Sequence, residues 1–584
     1  MREAVEREWV LFSPALDIVR EISLRHGLTI PAAKTLANRE IIDPREVELF
    51  LRGTLSELPD LSLLNDIDKA SERLVRAGIQ REPLLIYADY DADGATGAAC
   101  LFLFLKEMFP EQPLRIHQND RLLEGYGLQG KVIEKAAREG CRLVVTVDCG
   151  ITDCPQIREA TADGVEIIVT DHHLPGETLP EAYAVIDPYR QDCVFPFKSL
   201  AGVGVAFFLV CGIRKNLRER GFFNGSQQPS LRRFLDLVAL GTVADMVSLS
   251  SSNRTLVREG IREIRKGARP GIEALFSVSG ASAVLATEAD LGYKVGPRLN
   301  AAGRIGDSSR SSRILVSTSR EESARLAREL NEDNIRRQHE QELILSSVVS
   351  EIKMFKELPD AIVLSDQGWH QGVLGIVASK ILDLYGRPVI LMREEAGVAT
   401  GSCRGVEGFP IVSALSELSH LLTRYGGHAR AAGLALPIEN LEPFREGFSK
   451  IAARHAPFVP RCFIDAEIRI RDINTDLLAN LDLMRPFGMG NPEPVFLLRN
   501  IRVVCVSRTG ASGQHLRFEL EEGERRIGGV AFSCAEIPAD SSGRTDLLVT
   551  VQENLYRGTR TARLVLLDAR APGRPILCAG MTSG

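Results

Sequence analysis

The sequence lacks the features that mark secreted and membrane proteins. Its 11 cysteines contain no Cys-x-x-Cys pair, and the two closest, Cys149 and Cys154, belong to no repeated spacing. In a chain of this size, irregular cysteines are typical of reduced cytosolic thiols. No run of about 18 apolar residues is present that would span a membrane, and the N-terminal MREAVEREWVLF has no signal-peptide core. We therefore expect a cytoplasmic protein.

A net positive charge is also missing. The 71 Lys and Arg residues are outnumbered by 77 Asp and Glu residues, which gives a net charge of −6, so no overall field attracts nucleic acid. This argues only mildly against nucleic-acid binding, because the local field decides binding and metal-binding carboxylates lower the formal count. At about 100–200 residues per domain, the chain has room for roughly three to five domains.

Apolar runs that end in acidic residues alternate with helical segments in the first half of the chain. The predicted strands are LLIYAD, LVVTVD and VEIIVTD, at 84–89, 143–148 and 165–171, and predicted helices lie at 95–109 and 156–164. Short buried strands that alternate with helices predict a mostly parallel sheet covered on both faces. Ligands bind at the carboxyl ends of such strands, where Asp89, Asp148 and Asp171 lie.

The strongest local feature is YADYDADGATG at 87–97, in which Asp89, Asp91 and Asp93 alternate before a glycine. Carboxylates that converge in a bent loop repel one another unless cations lie between them. An EF-hand loop is rejected because its twelfth position, which requires Glu, is Cys100. A P-loop is excluded because no Gly-Lys-Ser/Thr follows the glycines. A solvated acidic turn remains the alternative interpretation.

Three further motifs carry candidate ligands. Asp148 ends the strand in VTVDCGIT, although a strand-end Asp is often only a helix cap. In VTDHHLPG, His172 and His173 are adjacent, which favours ligands over structural histidines, and Asp171 can accept a ring N–H. Asp245 stands alone among apolar residues in LVALGTVADMVSL and needs a partner, which a metal, a salt bridge or a helix cap would supply.

In this order the motifs resemble those of the DHH superfamily of phosphoesterases. The resemblance implies two metal ions, with Asp148 as the bridging ligand, Asp89 in or beside the coordination sphere, His173 as a further catalytic residue, and the ligand set Asp91, Asp93, Asp148, His172 and Asp245. Carboxylate and imidazole ligands favour Mn²⁺ or Mg²⁺, and the lack of thiolate argues against structural zinc. Tyr87 replaces the His of the superfamily's phosphatases and pyrophosphatases, as in its RecJ branch.

Basic residues near glycines indicate phosphate binding. Glycine lets a backbone N–H approach a phosphate, and Arg binds phosphate through two hydrogen bonds, although ordinary turns and surface arginines remain the alternative. Five basic residues lie from Lys294 to Arg313 against the single acid Asp307. With WHQGVLGIVASK (369–380) and PFGMGNPEPVF (486–496), these segments resemble the RecJ family of exonucleases. The resemblance implies that Arg121, Arg298, Ser402 and Arg404 lie near the terminal phosphate or the backbone of single-stranded DNA, and that His428 lies at the cleft opposite the metals. Asn300 and Arg304 of the basic stretch are further candidates for DNA binding.

The RecJ resemblance implies an α/β fold of two domains joined by a long helix, plus a C-terminal all-β OB-fold. The expected segments are a helical lead-in (1–75), a parallel-sheet DHH catalytic domain (76–319), a connecting helix without Gly or Pro (320–355), a smaller α/β DHH-associated substrate-binding domain (356–458) and an OB-fold nucleic-acid-binding domain (459–573). In the OB-fold, candidates for contact with a single strand are Arg517, Phe518, Arg525, Arg526 and Tyr556. Phe518 is equally expected to fill the barrel.

The implied function is 5′→3′ hydrolysis of single-stranded DNA to 5′-mononucleotides in DNA repair and recombination, by two ions about 3.5–4 Å apart. We expect a monomer, with single-strand-binding protein and a RecQ-like helicase as partners and no membrane contact. Two alternatives stay open: a DHH phosphodiesterase acting on oligonucleotides or cyclic dinucleotides, and a non-catalytic DHH scaffold of the replication fork. The β-rich module argues against the first, and the complete ligand set argues against the second.

Overall fold

The computed structural model describes residues 7–121, 123–224, 227–428, 430–510, 513–556 and 559–580. The chain divides into two compact units: a first unit of Met1–Arg52, Gln341–Arg485 and Glu493–Gly584, and a second unit of Gly53–Glu340 and Pro486–Pro492. Within the described residues, no helix combines the length and the apolar character required to cross a membrane.

The first unit begins with a strand. β1 (Glu8–Ser13) is followed by three helices, α1 (Leu16–His26), α2 (Ile30–Asn38) and α3 (Pro44–Arg52). β1 is the middle strand of a three-stranded parallel sheet whose outer strands are Arg461–Ile464 and Leu577–Gly580. Trp9 of β1 is buried, and its indole N–H donates to Asp568 at 2.9 Å. The helical lead-in expected over 1–75 therefore omitted a strand, because its partners lie at the other end of the chain.

The second unit contains a parallel sheet. Its first elements are α4 (Ile67–Gln80), β2 (Leu84–Ala88), α5 (Ala92–Met108), β3 (Leu114–Gln118), α6 (Gly130–Arg138), β4 (Leu143–Val147), α7 (Cys154–Ala162), β5 (Glu166–Thr170), β6 (Ala184–Ile186) and α8 (Gly202–Glu219). The strands are all parallel, in the order β3-β2-β4-β5-β6. Ile86 and Val145 pack with α5 and α8, whereas Tyr87 and Val144 pack with α6 and α7. Because both faces of β2, β4 and β5 are buried, these three strands are mostly apolar, as predicted.

Helices complete the second unit. They are α9 (Leu235–Ala244), α10 (Ser251–Gly267), α11 (Pro270–Val278), the single turn α12 (Glu288–Asp290), α13 (Gly296–Ile305), α14 (Ser309–Val316) and α15 (Arg320–Ile352). α9 is buried along most of its length and packs against α10. α15 has 33 residues and occupies most of the segment expected as a connecting helix. The boundary between the two units falls within α15.

A second sheet belongs to the first unit. Its segment contains β7 (Ile362–Asp366), α16 (Leu374–Tyr385), β8 (Val389–Glu395), β9 (Val398–Arg404), α17 (Ile411–Glu417), β10 (Arg424–His428), β11 (Ala431–Pro437) and α18 (Leu441–Ala453). The strand order is β10-β11-β9-β8-β7, with only β7 and β8 parallel. The sheet is therefore mixed, and it covers an apolar core that includes Phe444 and Phe448 of α18.

The C-terminal part of the first unit contains a barrel, together with strands that pair outside it. Its elements are β12 (Arg461–Ile464), β13 (Ala466–Glu467), α19 (Thr475–Leu483), β14 (Phe496–Thr509), β15 (His515–Glu522), β16 (Arg525–Ala531), β17 (Arg544–Tyr556), β18 (Thr559–Arg570) and β19 (Leu577–Gly580). Five strands close into a ring because β14 pairs with both β15 and β17. Phe518 is buried, so it fills the barrel and does not stack on a nucleotide. The Tyr556 side chain lies outside the described residues.

Gly260 of α10 allows us to test how closely α10 packs against α9, the helix that ends next to Asp245. A Cβ at Gly260 of α10 would overlap the carbonyl oxygen of Leu235 and lie 2.5 Å from the Cβ of Ala239. We expect Gly260→Ala to lower the free energy of unfolding by about 1–3 kcal/mol, as overpacking does. Urea denaturation measures this change.

The matched control is Gly204→Ala in α8. The nearest atom to its added Cβ is Leu200 Cδ2 at 3.5 Å, an ordinary contact distance. We expect this variant to be as stable as the parent or up to about 1 kcal/mol more stable, because Ala favours helix. Equal stability of the two variants would contradict the close helix packing.

Candidate metal centre

One aspartate follows each of four strands at the carboxyl edge of the parallel sheet, namely Asp89, Asp148, Asp171 and Asp187. The backbone N–H groups of Asp89, Asp148 and Asp171 donate to the neighbouring strand or to its extension at 3.0–3.2 Å. Asp148 adopts a left-handed conformation with φ of 64°, which costs a non-glycine residue about 1–3 kcal/mol. The sheet therefore fixes these acids, one of them in a strained conformation of the kind that functional sites retain.

Two further aspartates are held at the N-terminus of α5. Asp91 caps the helix, since its Oδ1 accepts hydrogen bonds from the N–H groups of Asp93 (2.8 Å) and Gly94 (3.1 Å). The Asp93 carboxylate accepts from the N–H groups of Gly202 (2.6 Å) and Val203 (2.9 Å) at the start of α8. The N-termini of two helices thus fix the position of this buried carboxylate.

Side chains from distant segments converge on His172. Its Nε2 lies 3.0 Å from Asp148 Oδ1, 3.6 Å from Asp245 Oδ2 and 3.7 Å from Asp93 Oδ2. Three sets of possible ligand atoms lie within 4.8 Å of one another: Asp148, His172 and His173; Asp93, His172 and Asp245; and Asp89, Asp91 and Asp148. Every residue predicted as a metal ligand or as catalytic belongs to at least one set.

The charges and lone pairs of this cluster fit a divalent cation. Burial, reinforced by neighbouring carboxylates, raises the pKa of Asp89, Asp148 and Asp245 well above the usual value. Burial and Asp91 raise the pKa of Asp93 to about 7. The buried atoms Asp89 Oδ1, Asp148 Oδ1 and His172 Nε2 form no hydrogen bond of acceptable geometry among the described residues, although the last two atoms lie 3.0 Å apart. Oxygen and imidazole donors of this kind suit Mn²⁺ or Mg²⁺.

The two adjacent histidines differ in protonation. Burial and the charge of His173 lower the pKa of His172 to about 4, so its imidazole is neutral, the form that binds metal. Burial alone would lower the pKa of His173, but a 2.8 Å hydrogen bond to Asp171 and the nearby carboxylates raise it to about 9. Asp171 also accepts from the backbone N–H of His172 at 2.7 Å. The prediction that Asp171 accepts a hydrogen bond from a histidine ring N–H is confirmed by its contact with His173.

Three residues next to the cluster were not predicted as site residues. The Tyr126 hydroxyl lies 3.0 Å from His173 Nδ1. Asp187 is buried, and burial together with Asp171 raises its pKa to about 8. A Cβ at Gly202 would lie 2.8 Å from the Cβ of Asp148. Asp187 ends the run AYAVID and carries the strand-end signal, whereas nothing in the local sequence identifies the other two.

The predicted DNA-binding residues of the second unit have varied surroundings. The Asn300 side-chain oxygen accepts from the N–H of Ala92 at 2.7 Å, and thereby caps α5 next to Asp91. The Arg121 guanidinium lies 5.0 Å from the centre of the Tyr90 ring. Arg298 donates to Asn331 at 3.0 Å and to the Lys294 carbonyl at 2.6 Å. Burial and the charge of Arg121 lower the pKa of Arg304 to about 10. Their role in DNA binding stays a prediction.

The remaining candidates lie on the mixed sheet of the first unit. Ser402 and Arg404 are alternate residues of β9, so they point to the same face. The Arg404 Nε donates to the Ser379 hydroxyl at 3.1 Å, and a Cβ at Gly375 would lie 2.7 Å from an Arg404 guanidinium nitrogen. His428 is exposed at the end of β10. The binding roles of these three residues also stay predictions.

Family models match three segments of the chain. The N-terminal domain of the DHH family matches residues 83–242, the DHHA1 domain matches 358–454, and the RecJ OB domain matches 464–568. These segments contain the parallel sheet, the mixed sheet and the barrel, so the predicted fold class is confirmed. The exact domain boundaries stay a prediction.

The chain is also similar to whole proteins described as single-stranded-DNA-specific exonuclease RecJ. It is 36% identical to that of Dickeya dadantii, over 94% of this chain and 97% of the relative, and 35% identical to that of Escherichia coli, over 91% and 94%. Its structure matches a crystal structure of RecJ in complex with Mn²⁺ from Thermus thermophilus, with a TM-score of 0.83, 30% identity and coverage of 99% of this chain and 81% of the other. The chain therefore belongs to the RecJ family.

Proposed function

We propose that the chain is a metal-dependent exonuclease that degrades single-stranded DNA from its 5′ end and releases 5′-mononucleotides. The observation that carries the proposal is the convergence of buried carboxylates and one neutral imidazole with unpartnered lone pairs at the edge of the parallel sheet. RecJ has been solved in complex with Mn²⁺ and with Mg²⁺, which supports either ion as the cofactor.

The five predicted ligands would hold the ions, with Asp89 beside them. Asp148 and His172 each belong to two of the three sets of ligand atoms, but only a carboxylate has two oxygens to share between two ions, so Asp148 would be the shared ligand. The ligands of the two sites are Asp91, Asp93, Asp148, His172 and Asp245. When bound, a pair of such ions activates water and neutralises charge that develops on the phosphoryl group.

His173 acts next to the ligands as a hydrogen-bond donor to a phosphoryl oxygen. Its side chain is one-third exposed, and the 2.8 Å hydrogen bond between His173 Nδ1 and Asp171 orients the ring. The residues that we propose for contact with the DNA backbone or its terminal phosphate are Arg121, Arg298, Asn300, Arg304, Ser402 and Arg404. His428 is proposed to lie near the substrate. Arg517, Arg525 and Arg526 of the barrel contact the single strand further from its end, as basic side chains of OB-folds do.

The enzyme acts as a monomer in the cytoplasm during DNA repair and recombination. All 11 cysteines are free thiols, which suits a reducing compartment. A nuclease that accepts only single strands needs another protein to unwind duplex DNA, so a RecQ-like helicase and single-strand-binding protein are the partners that we propose.

End-labelled DNA tests metal requirement, strand preference and polarity together. With Mn²⁺ or Mg²⁺, we expect a 5′-labelled single strand to release labelled mononucleotide at once, and a 3′-labelled strand to release its label only late. Blunt duplex DNA and EDTA-treated samples are expected to remain intact. Cleavage of oligonucleotides of a few residues but not of long strands would favour a DHH phosphodiesterase, and no cleavage at all would favour a scaffold.

Asp148→Asn tests the bridging ligand. The substitution keeps the shape of the side chain but removes its charge, so we expect the cleavage rate to fall by more than about 100-fold, a loss that even outer supports of a metal site can cause. The control is Asp163→Asn, an exposed acid after α7, which should cleave at the parental rate. Full activity of a folded Asp148→Asn protein would remove the assignment.

Metal binding should also stabilise the folded protein. Burial and mutual repulsion raise the pKa of Asp89, Asp148 and Asp245, and a bound cation offsets both effects. A ligand present at 100 times its Kd stabilises the folded state by about 2.7 kcal/mol. We expect Mn²⁺ to raise the Tm of EDTA-treated protein by several degrees in a thermal-shift experiment. Asp163→Asn should show the same rise and Asp148→Asn a smaller one, whereas an unchanged parental Tm would contradict the metal site.

A further inference from the structure

The turn that follows Asp245 is strained. Asp245 is the first residue after α9, and the chain then passes through two non-glycine residues with left-handed backbones, Met246 (φ 60°) and Ser251 (φ 41°). Such conformations cost free energy and persist only where the surroundings hold them. The helix therefore does not by itself fix the direction in which the chain leaves Asp245.

A segment from much later in the chain lies against this turn. We call Pro486–Pro492 the clasp; it belongs to the second unit. The N–H of Leu249 donates to the carbonyl oxygen of Met489 at 2.7 Å. A Cβ at Gly488 would lie 2.7 Å from Leu249 Cδ1, and a Cβ at Gly490 would overlap the hydroxyl of Ser248. A side chain at either position would therefore have to displace the Leu249 or the Ser248 side chain of the turn.

The clasp is itself fixed by other contacts. Gly488 and Asn491 exchange backbone hydrogen bonds of 2.8 and 3.1 Å, and the Asn491 side-chain amide donates to the carbonyl oxygen of Pro486 at 2.6 Å. The N–H of Phe487 donates at 3.1 Å to the buried carboxylate of Glu288 in α12. The clasp is thus a closed loop attached to a helical turn outside the metal cluster, and it can serve as a rigid support.

We infer that the clasp positions Asp245 for metal binding. The inference rests on the proposed function, in which Asp245 is a ligand, and it concerns positioning only, since the observed clasp contacts are to the turn at Ser248 and Leu249. The Asp245 carboxylate lies 3.6 Å from His172 Nε2, so a small displacement of the turn separates a ligand from its site. Supports behind metal ligands typically change metal affinity about 10–100-fold.

Gly490→Ala tests the inference, because its Cβ pushes against Ser248. We expect the equilibrium affinity for Mn²⁺, measured by electron paramagnetic resonance titration of chelator-treated protein without DNA, to fall about 10–100-fold for at least one site. Cleavage should recover at high Mn²⁺ concentration. The double variant Gly490→Ala with Ser248→Gly removes the overlapped hydroxyl, so it should regain most of the affinity relative to Ser248→Gly alone.

The matched control is Gly280→Ala. Gly280 has the same φ of 70° as Gly490, but no atom lies within 4 Å of its added Cβ. The Gly280→Ala variant therefore reports the cost of backbone strain alone, and its affinity for Mn²⁺ should equal that of the parent protein. Unchanged affinity in Gly490→Ala, or a loss that the double variant does not reverse, would overturn the inference.

Asp245→Ala separates failure of the inference from failure of the proposed function. If Asp245→Ala binds Mn²⁺ as the parent does, Asp245 is not a ligand and the proposed metal site is wrong. If Asp245→Ala loses Mn²⁺ while Gly490→Ala keeps it, the metal site stands and only the role of the clasp is refuted.

Discussion

Mutual repulsion among buried carboxylates is the constraint on which the rest of the second unit depends. Burial and neighbouring acids raise the pKa of Asp89, Asp148 and Asp245 together, so these groups are stable only when protonated or bound to cations. The fold holds them together nevertheless. Backbone N–H groups of α8 donate hydrogen bonds to the Asp93 carboxylate, and Asp148 is held in a left-handed backbone conformation. A site built in this way favours cations, and cations in turn attract the phosphates of a nucleic acid.

The parallel sheet could be predicted from the sequence because its signals are local. β2, β4 and β5 are buried on both faces, so each appears as an unbroken apolar run that ends in an acid. β6 has only three residues, so the run AYAVID is a weaker strand-end signal than the longer runs, and Asp187 was missed. β1 was missed for a different reason, since it pairs with strands from the C-terminal part of the chain, and no local pattern reveals such partners.

The same distinction, between local signals and partners that are distant in the chain, applies to the candidate site. Asp89, Asp148, Asp171 and the two histidines follow predicted strands, so one rule about strand ends predicted that they lie close together. Asp245 follows a helix, and only the resemblance to the DHH superfamily added it to the ligand set. The role of a side chain away from the strand ends depends on which residues from other segments it contacts. Asn300 was predicted from its basic, glycine-containing neighbourhood, but only the structure shows that its oxygen caps the helix that carries Asp91 and Asp93. Phe518 had two interpretations until the closure of the barrel showed which face is buried.

The clasp shows how a domain boundary drawn on sequence can divide a structural unit. Residues 486–492 lie inside the segment that matches the RecJ OB domain, yet they pack as part of the second unit. Without them, the Leu249 N–H and the Glu288 carboxylate would each lose a hydrogen bond that the structure records, next to a turn with two left-handed residues. A buried backbone N–H that loses its partner, as that of Leu249 would, costs about 1–3 kcal/mol. The parallel-sheet unit therefore includes this later segment, although every proposed metal ligand precedes residue 250.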